Sequence, residues 1–211
     1  MIGKQKKGES SKFIYRMAQR SITDDLGEKK VADVGCGRGE FTQWIAEQTN
    51  RSVVAVDWTP PIHLESKFEH VEIRKSDLNE KWPIEDSEVD IVYALEVIEH
   101  VENSRHFMRE IKRILREGGQ AFVSTPNNES LFSKINFFLT GQHRYFQDSC
   151  YPAHINPVLE DDIKKICIEN NLELKEVIFS GISTIPKVGV QLKIGGKLFS
   201  GNIGFRIQKT S

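Results

Sequence analysis

The sequence predicts an α/β protein: a doubly wound, mostly parallel sheet with helices on both faces. Three observations carry that expectation. Short apolar segments rich in Val and Ile alternate with segments whose apolar residues recur at helical spacing. The alternation runs through almost the whole chain, as it does when parallel strands are joined by covering helices. Several of the predicted strands deliver a glycine loop or an acid at one edge, and in such sheets ligands bind beyond the carboxyl ends of the strands.

The elements follow in order. After a basic leader, residues 10–22 carry Phe13, Ile14, Met17 and Ile22 at helical spacing, with Ser10 as a cap. "KKVADVGCG" is a short apolar strand running into glycines, and Phe41, Trp44 and Ile45 predict a helix beginning near Gly39. "SVVAVD" is a second strand of small and β-branched residues closed by Asp57. "VEIRKSD" is a third, ending at Asp77, and "VDIVYAL" a fourth that delivers "ALEVIEHV". Phe107, Met108, Ile111, Ile114 and Leu115 mark a helix stopped by Gly118 and Gly119. "QAFVSTP" is a fifth strand. Ile163, Ile166 and Cys167 stripe a helix before "LELKEVIFS", and a last strand lies near "IGFRIQK". Between them, residues 128–158 form a long insertion rich in Phe and Tyr, of the kind that often serves as a lid. "KVGVQLKIGG" alternates apolar and polar residues and reads as a strand or hairpin, with a short helix as the alternative.

A chain of 211 residues suits one domain large enough for a sheet covered on both sides. The formal net charge of −1 gives no global field favouring nucleic acid or an anionic membrane. The start, "MIGKQKKGESSKF", lacks the apolar core of a secretory signal, and no run is long enough to span a bilayer. Cys36, Cys150 and Cys167 show no metal-type spacing, and their odd number argues against a disulfide framework. A reducing, cytoplasmic setting is the simplest expectation.

"DVGCGRGEF" places Gly35, Gly37 and Gly39 between strand and helix, where the backbone must turn sharply and can approach a ligand closely. A dinucleotide fingerprint would need a further glycine at position 40, and that residue is Glu40. An acid in the first helical turn competes with a pyrophosphate for the same site. No Gly-Lys-Ser/Thr follows either, so the loop is not built mainly for phosphates. The plain alternative is an ordinary tight strand-to-helix turn. Asp57, closing the second strand, can accept both hydroxyls of a ribose. Asp77 can accept from an adenine amino group beside the Leu78 amide, or simply start a turn.

The ordered set "DVGCGRGEF", "VVAVD", "KSDLNE", "DIVYALEVIEHV" and "EIKRILREGGQAFVSTPN" resembles the class I S-adenosylmethionine (SAM) methyltransferases, closely over residues 30–127 and more loosely elsewhere. The resemblance implies a Rossmann-like methyltransferase fold: a basic leader and helix over 1–29, then a methyltransferase domain over 30–211 with the lid-like insertion at about 128–158. It implies SAM as cofactor. Asp33, Gly35, Cys36, Gly37 and Gly39 would hold the methionyl part, and Asp57 with Trp58 the ribose end. Asp77 and Leu78 would meet the adenine, and Leu95 and Glu96 would line the cofactor opposite the substrate. An oxygen nucleophile wants a nearby base, and His100 or His154 can serve.

In "ALEVIEHV", Glu96 and Glu99 are spaced to share one side of a first helical turn. Glu-x-x-Glu-His resembles the metal-binding part of the small-RNA 2′-O-methyltransferases and of the ubiquinone-pathway O-methyltransferases. That likeness makes Glu96, Glu99, His100 and His154 a candidate metal set. The competing expectation is that no metal binds, that Glu99 and His100 cap the helix, and that a histidine is the base. "STPNNESLFSKINFFLTGQHRYF" and "HINP" resemble methyltransferases of glycan, lipid and secondary-metabolite pathways, so a small-molecule, sugar or lipid-linked acceptor is expected. Nucleic acid is not, since the charge is near zero and no aromatic-basic platform is evident. A noncatalytic SAM-binding protein would use the same fold. Leu131, Phe132, Ile135 and Phe138 form an apolar stripe expected to pack on the sheet or else to cover the acceptor. Lys4, Lys6, Lys7 and Lys12 make the leader basic, as a solvated tail or a contact for phosphate.

Overall fold

The computed structural model describes residues 12–22, 26–181, 183–184, 191–192 and 195–210. The expected Ser10 cap, the leader lysines 4, 6 and 7, and most of "KVGVQLKIGG" lie outside the described residues. The elements in chain order are α1 (Lys12–Ser21), β1 (Val31–Val34), α2 (Glu40–Ala46), β2 (Val53–Asp57), β3 (Val71–Lys75), β4 (Val89–Leu95), α3 (Ser104–Ile114), β5 (Leu115–Pro126), α4 (Leu131–Thr140), α5 (Glu160–Glu169), β6 (Leu172–Phe179), β7 (Ser183–Thr184), β8 (Gln191–Leu192) and β9 (Asn202–Lys209). Seven strands form one sheet in the order β3-β2-β1-β4-β5-β9-β6, and β7 pairs with β8 apart from it. Strands β1 to β5 run parallel, while β9 inserts antiparallel between β5 and β6.

The central strands are apolar on both faces because both faces are covered. Successive side chains alternate sides. Ala32, Val34, Val54, Val56, Val92 and Ala94 join Phe107, Ile111 and Ile163 in one core layer. Val31, Val53, Ile91, Tyr93 and Leu95 join Ile14, Met17, Phe41 and Ile45 in the other. Helices α3 and α5 thus cover one face and α1 and α2 the opposite one, which is the doubly wound arrangement the sequence predicts. Gly204 on β9 belongs to the α1 face: a Cβ there would collide with the ring of Phe122 and come within 3.1 Å of Met17 Cε. Neither the buried ring nor the strand can retreat, so Gly204→Ala is expected to destabilise the fold by about 1–3 kcal/mol through overpacking. Urea unfolding with an unchanged slope is the check.

Two elements differ from expectation. Helix α3 is not stopped by Gly118 and Gly119. It ends at Ile114, and Leu115 turns to extended backbone and begins β5 directly. Leu115 pairs with Val89 and Gln120 with Ile91, so the glycine pair lies within a register irregularity inside one long strand. Nor does "ALEVIEHV" start a helix. Residues 97–102 form turns, and α3 begins only at Ser104, where the Asn103 side chain accepts from the His106 amide at 3.0 Å. Glu99 and His100 therefore do not cap it. An Asx cap satisfies an orphan amide that neither residue is placed to reach.

The strand order reverses between β1 and β4: the chain passes outward to β2 and β3, then returns on the other side of β1. A crevice opens above the carboxyl ends of strands at such a point. The Gly35 loop and Glu96 follow those two strand ends.

Candidate functional site

The loop after β1 is held from beneath and from the side. The Gly35 and Cys36 amides donate to the Val56 carbonyl at 2.7 and 3.1 Å, and the Gly39 amide to the Cys36 carbonyl at 2.9 Å. Gly35 has φ +75°, a conformation L residues rarely adopt, and a Cβ would run into Val97 just past β4. Gly39 caps α2 with φ +81°, and its bare Cα lets Leu64 and Pro61 close against it. Gly35 and Gly39 thus let the loop pack directly on its neighbours, and Gly37 shares their positive φ. Cys36 is buried in the loop, and burial pushes its thiol well above the ordinary range, which favours the neutral thiol.

Asp33 lies under this loop, 2% exposed, and accepts from the Thr42 hydroxyl at 2.6 Å. Burial raises its pKa to about 7, with the Thr42 bond opposing the rise. Thr42, in the first turn of α2 between the buried Phe41 and Ile45, is a partner sequence reasoning missed. A lone hydroxyl on an otherwise apolar helix face was the available signal.

Asp57 closes β2, half-buried. One carboxylate oxygen accepts from the Gly37 amide at 2.9 Å and the other from the Thr59 amide at 2.8 Å. The Thr59 hydroxyl lies 3.5 Å from the same oxygen as its amide, so of the carboxylate's roughly four acceptor sites the one left open is on the oxygen that Gly37 holds. Trp58 beside it is 61% exposed, with Lys75 Nζ 5.6 Å from the ring centroid. Asp77 Oδ1 accepts from the Asn79 amide and side chain at 2.9 and 3.0 Å. Asn79 Oδ1 in turn accepts from the Glu102 amide at 2.8 Å, tying this loop to the one after β4. Leu78 packs against the core, and its carbonyl accepts from the Trp82 indole at 3.2 Å.

Leu95 is buried, and Glu96 follows with φ +57°, unusual for a residue other than glycine. Its carboxyl receives Ser124 Oγ at 3.3 Å and Asn202 Nδ2 at 3.0 Å. Burial pushes Glu96 up to about 8 against those two bonds. Neither Ser124 nor Asn202 was legible: Asn202 arrives on β9, more than a hundred residues later, and only strand insertion brings it there. Tyr145 in the insertion is held high by burial, with Arg144 opposing and Glu96 adding to the rise.

Glu99, His100 and His154 converge, with one ligating atom of each within 4.8 Å of the others. The backbone brings them together: the Ile155 and Asn156 amides donate to the Glu99 carbonyl at 3.0 and 3.1 Å. His100 Nδ1 lies 2.6 Å from the Ala153 carbonyl, which can only accept, so this nitrogen carries a proton. The two imidazoles meet edge to face at 4.8 Å, and Phe146 lies 5.4 Å from His154. Burial lowers the pKa of His154, and His100 adds to the effect. Glu99 is fully buried, and neither of its carboxyl oxygens has a hydrogen-bond partner among the described residues. Burial first, then Glu96, holds its pKa well above the usual carboxylate range. Glu96 does not converge with this group. Its carboxyl is bonded to Ser124 and Asn202, and without a helical turn the Glu96–Glu99 spacing does not put both acids on one face.

The stripe Leu131, Phe132, Ile135 and Phe138 does not pack on the sheet. Leu131, Ile135 and Phe138 are exposed, and the residue α4 buries is Ser133.

A family model described as a methyltransferase domain matches residues 4–177. A "Probable S-adenosylmethionine-dependent methyltransferase" of Mycobacterium tuberculosis is 39% identical over 114 residues, covering 53% of this chain and 39% of that one. A ubiquinone biosynthesis O-methyltransferase of Rickettsia typhi is 31% identical over 168 residues, covering 73% of this chain and 64% of that one. The chain thus spans well under half the length of the first relative and nearly two thirds of the second. Among solved structures, a SAM-dependent methyltransferase from Archaeoglobus fulgidus superposes with a TM-score of 0.66 at 22% identity, over 95% of each chain. At that identity the likeness is one of fold.

Proposed function

The chain belongs to the SAM-dependent methyltransferase family, and from that premise we propose that it methylates a hydroxyl of a small-molecule, sugar or lipid-linked acceptor. The observation that carries this reading is the pair of histidines, His100 and His154, beside the crevice that follows β1 and β4. The cofactor fits the residues present: three glycines of positive φ turn the loop between strand and helix, and Asp57 keeps acceptor capacity beyond its two loop amides. In this reading Gly35, Cys36, Gly37 and Gly39 face the methionyl part, with Asp33 bracing the loop through Thr42. Asp57 takes the ribose hydroxyls, Trp58 flanks them, Asp77 and the Leu78 amide take the adenine, and Leu95 and Glu96 form the wall toward the acceptor. When bound, SAM supplies an already activated methyl on a sulfonium, so the protein's share is positioning and deprotonation.

His154 suits deprotonation. Its lowered pKa keeps the imidazole neutral at pH 7, and His100, oriented by the Ala153 carbonyl, stands beside it. A screen of hydroxylated acceptors for SAM-dependent methyl incorporation tests the reading. A protein that binds SAM and turns over none of them would favour the noncatalytic alternative. The ubiquinone-pathway relative supports an oxygen acceptor, and three free cysteines suit a reducing cytoplasm. Among the described residues no helix is long and apolar enough to cross a membrane.

One observation favours a second reading, a metal-dependent transferase. A buried carboxylate with no hydrogen-bond partner among the described residues is costly, and a divalent ion shared with the two imidazoles would relieve it. The His100 Nδ1 proton donated to a carbonyl is also how metal-bound imidazoles are commonly oriented. Metal analysis after gentle purification, then chelation and add-back during turnover, separates the two. Chelator-insensitive turnover without bound metal is expected of the base. Activity lost to chelator and restored by one divalent ion would establish the metal.

A further inference from the structure

We propose that the outward face of α4 docks on an anionic lipid bilayer. The helix is turned inside out for a soluble protein. Ser133 is fully buried, and its hydroxyl lies 3.3 Å from His143 Nδ1 and accepts from the Arg144 amide at 3.3 Å. Asn136 is half-buried and donates to the Gln142 carbonyl at 2.8 Å, while accepting from Gln147 at 3.1 Å. The polar residues therefore hold α4 to its own following loop, and the apolar ones are left outside. Leu131, Ile135, Phe138 and Leu139 follow at i, i+4, i+7 and i+8 and form one stripe. Phe138 is 88% and Leu139 72% exposed. Leu198, also exposed, adjoins the start of the stripe, where its carbonyl accepts from the Leu131 amide at 2.8 Å.

Charge complementarity selects the occupant. From residue 130 to 147 there is no acid, while Lys134 and Arg144 bring positive charge, in a chain whose net charge is −1. An apolar stripe edged by cations matches a bilayer, which offers acyl depth and phosphate side by side. Ten residues of helix, about 15 Å, would lie in the plane of the interface, with no need to span it. The same segment reaches the histidines, since Phe146 touches His154. The surface itself stands apart from the methyl-transfer reading and is testable without an acceptor.

The test is sedimentation of the whole protein with vesicles of phosphatidylcholine alone and of phosphatidylcholine mixed with phosphatidylglycerol. Binding is expected to the mixed vesicles, weakened by salt. The double variant Phe138→Glu, Leu139→Glu is expected to lose about tenfold or more in vesicle affinity, with its melting temperature and SAM affinity unchanged. No binding to mixed vesicles by the unaltered protein would overturn the proposal. So would full binding by the double variant that disappears when Lys4, Lys6 and Lys7 are changed to Gln. A concentration-dependent dimer that the double variant breaks, without vesicle binding, would assign the face to a second copy instead.

Discussion

Replacing His154 with alanine is expected to lower kcat by about 10²–10⁴-fold, the contribution of a positioned general base, while leaving SAM affinity nearly unchanged. The side chain meets His100 and Phe146, and it takes no part in the hydrogen bonds that hold the glycine loop and Asp57. Removing it should therefore spare the cofactor contacts. The sign of the pH dependence follows from the cause of the shift. Burial disfavours the imidazolium, so the folded pKa lies below the ordinary 6.5, and the base stays unprotonated to lower pH than a free histidine would. The acid limb of the rate profile is accordingly expected below 6.5, and absent in His154→Ala. Steady-state kinetics on an acceptor returned by the screen, with circular dichroism to certify the fold, make the measurement. An unchanged kcat would remove His154 from the chemistry. A matching loss in His100→Ala alone would move the role to its neighbour.

Asp57→Ala is expected to weaken SAM binding by about 1.5–3 kcal/mol, the range for hydrogen bonds to a charged group. Two effects act in the same direction. The carboxylate that would take the ribose hydroxyls is gone, and the Gly37 and Thr59 amides lose the acceptor that fixes their loops. Asp57→Asn separates them, because it keeps an oxygen for one amide while removing the charge. Calorimetry on both variants is the check, and full affinity in Asp57→Ala would mean that the ribose lies elsewhere.

The parts of the site that were legible are those set by local rules. Alternating glycines between a strand and a helix, an acid closing the next strand, and Glu96 at the end of the fourth are each read from a dozen contiguous residues. Sequence periodicity failed where a local pattern fits two structures. The α4 stripe has a helix's spacing, and a helix forms, but spacing does not say which face turns inward. Ser133 and Asn136 decide that through bonds to the loop that follows. The Glu96 and Glu99 spacing likewise suited a helical turn, yet the positive φ of Glu96 sends the chain elsewhere.

The sequence by itself determined the doubly wound sheet, the succession of its first five strands along the chain, the glycine loop and the candidate cofactor acids, because strand runs, helical stripes and turn residues act over a few positions. Only the tertiary structure decided that Asn202 meets Glu96 and that Glu99 is buried with no hydrogen-bond partner among the described residues. It also decided that His154 stands beside His100. Those depend on where β9 inserts and on two backbone bonds from the insertion to the Glu99 carbonyl. Contacts between distant segments follow from packing the whole chain, and no local pattern encodes them.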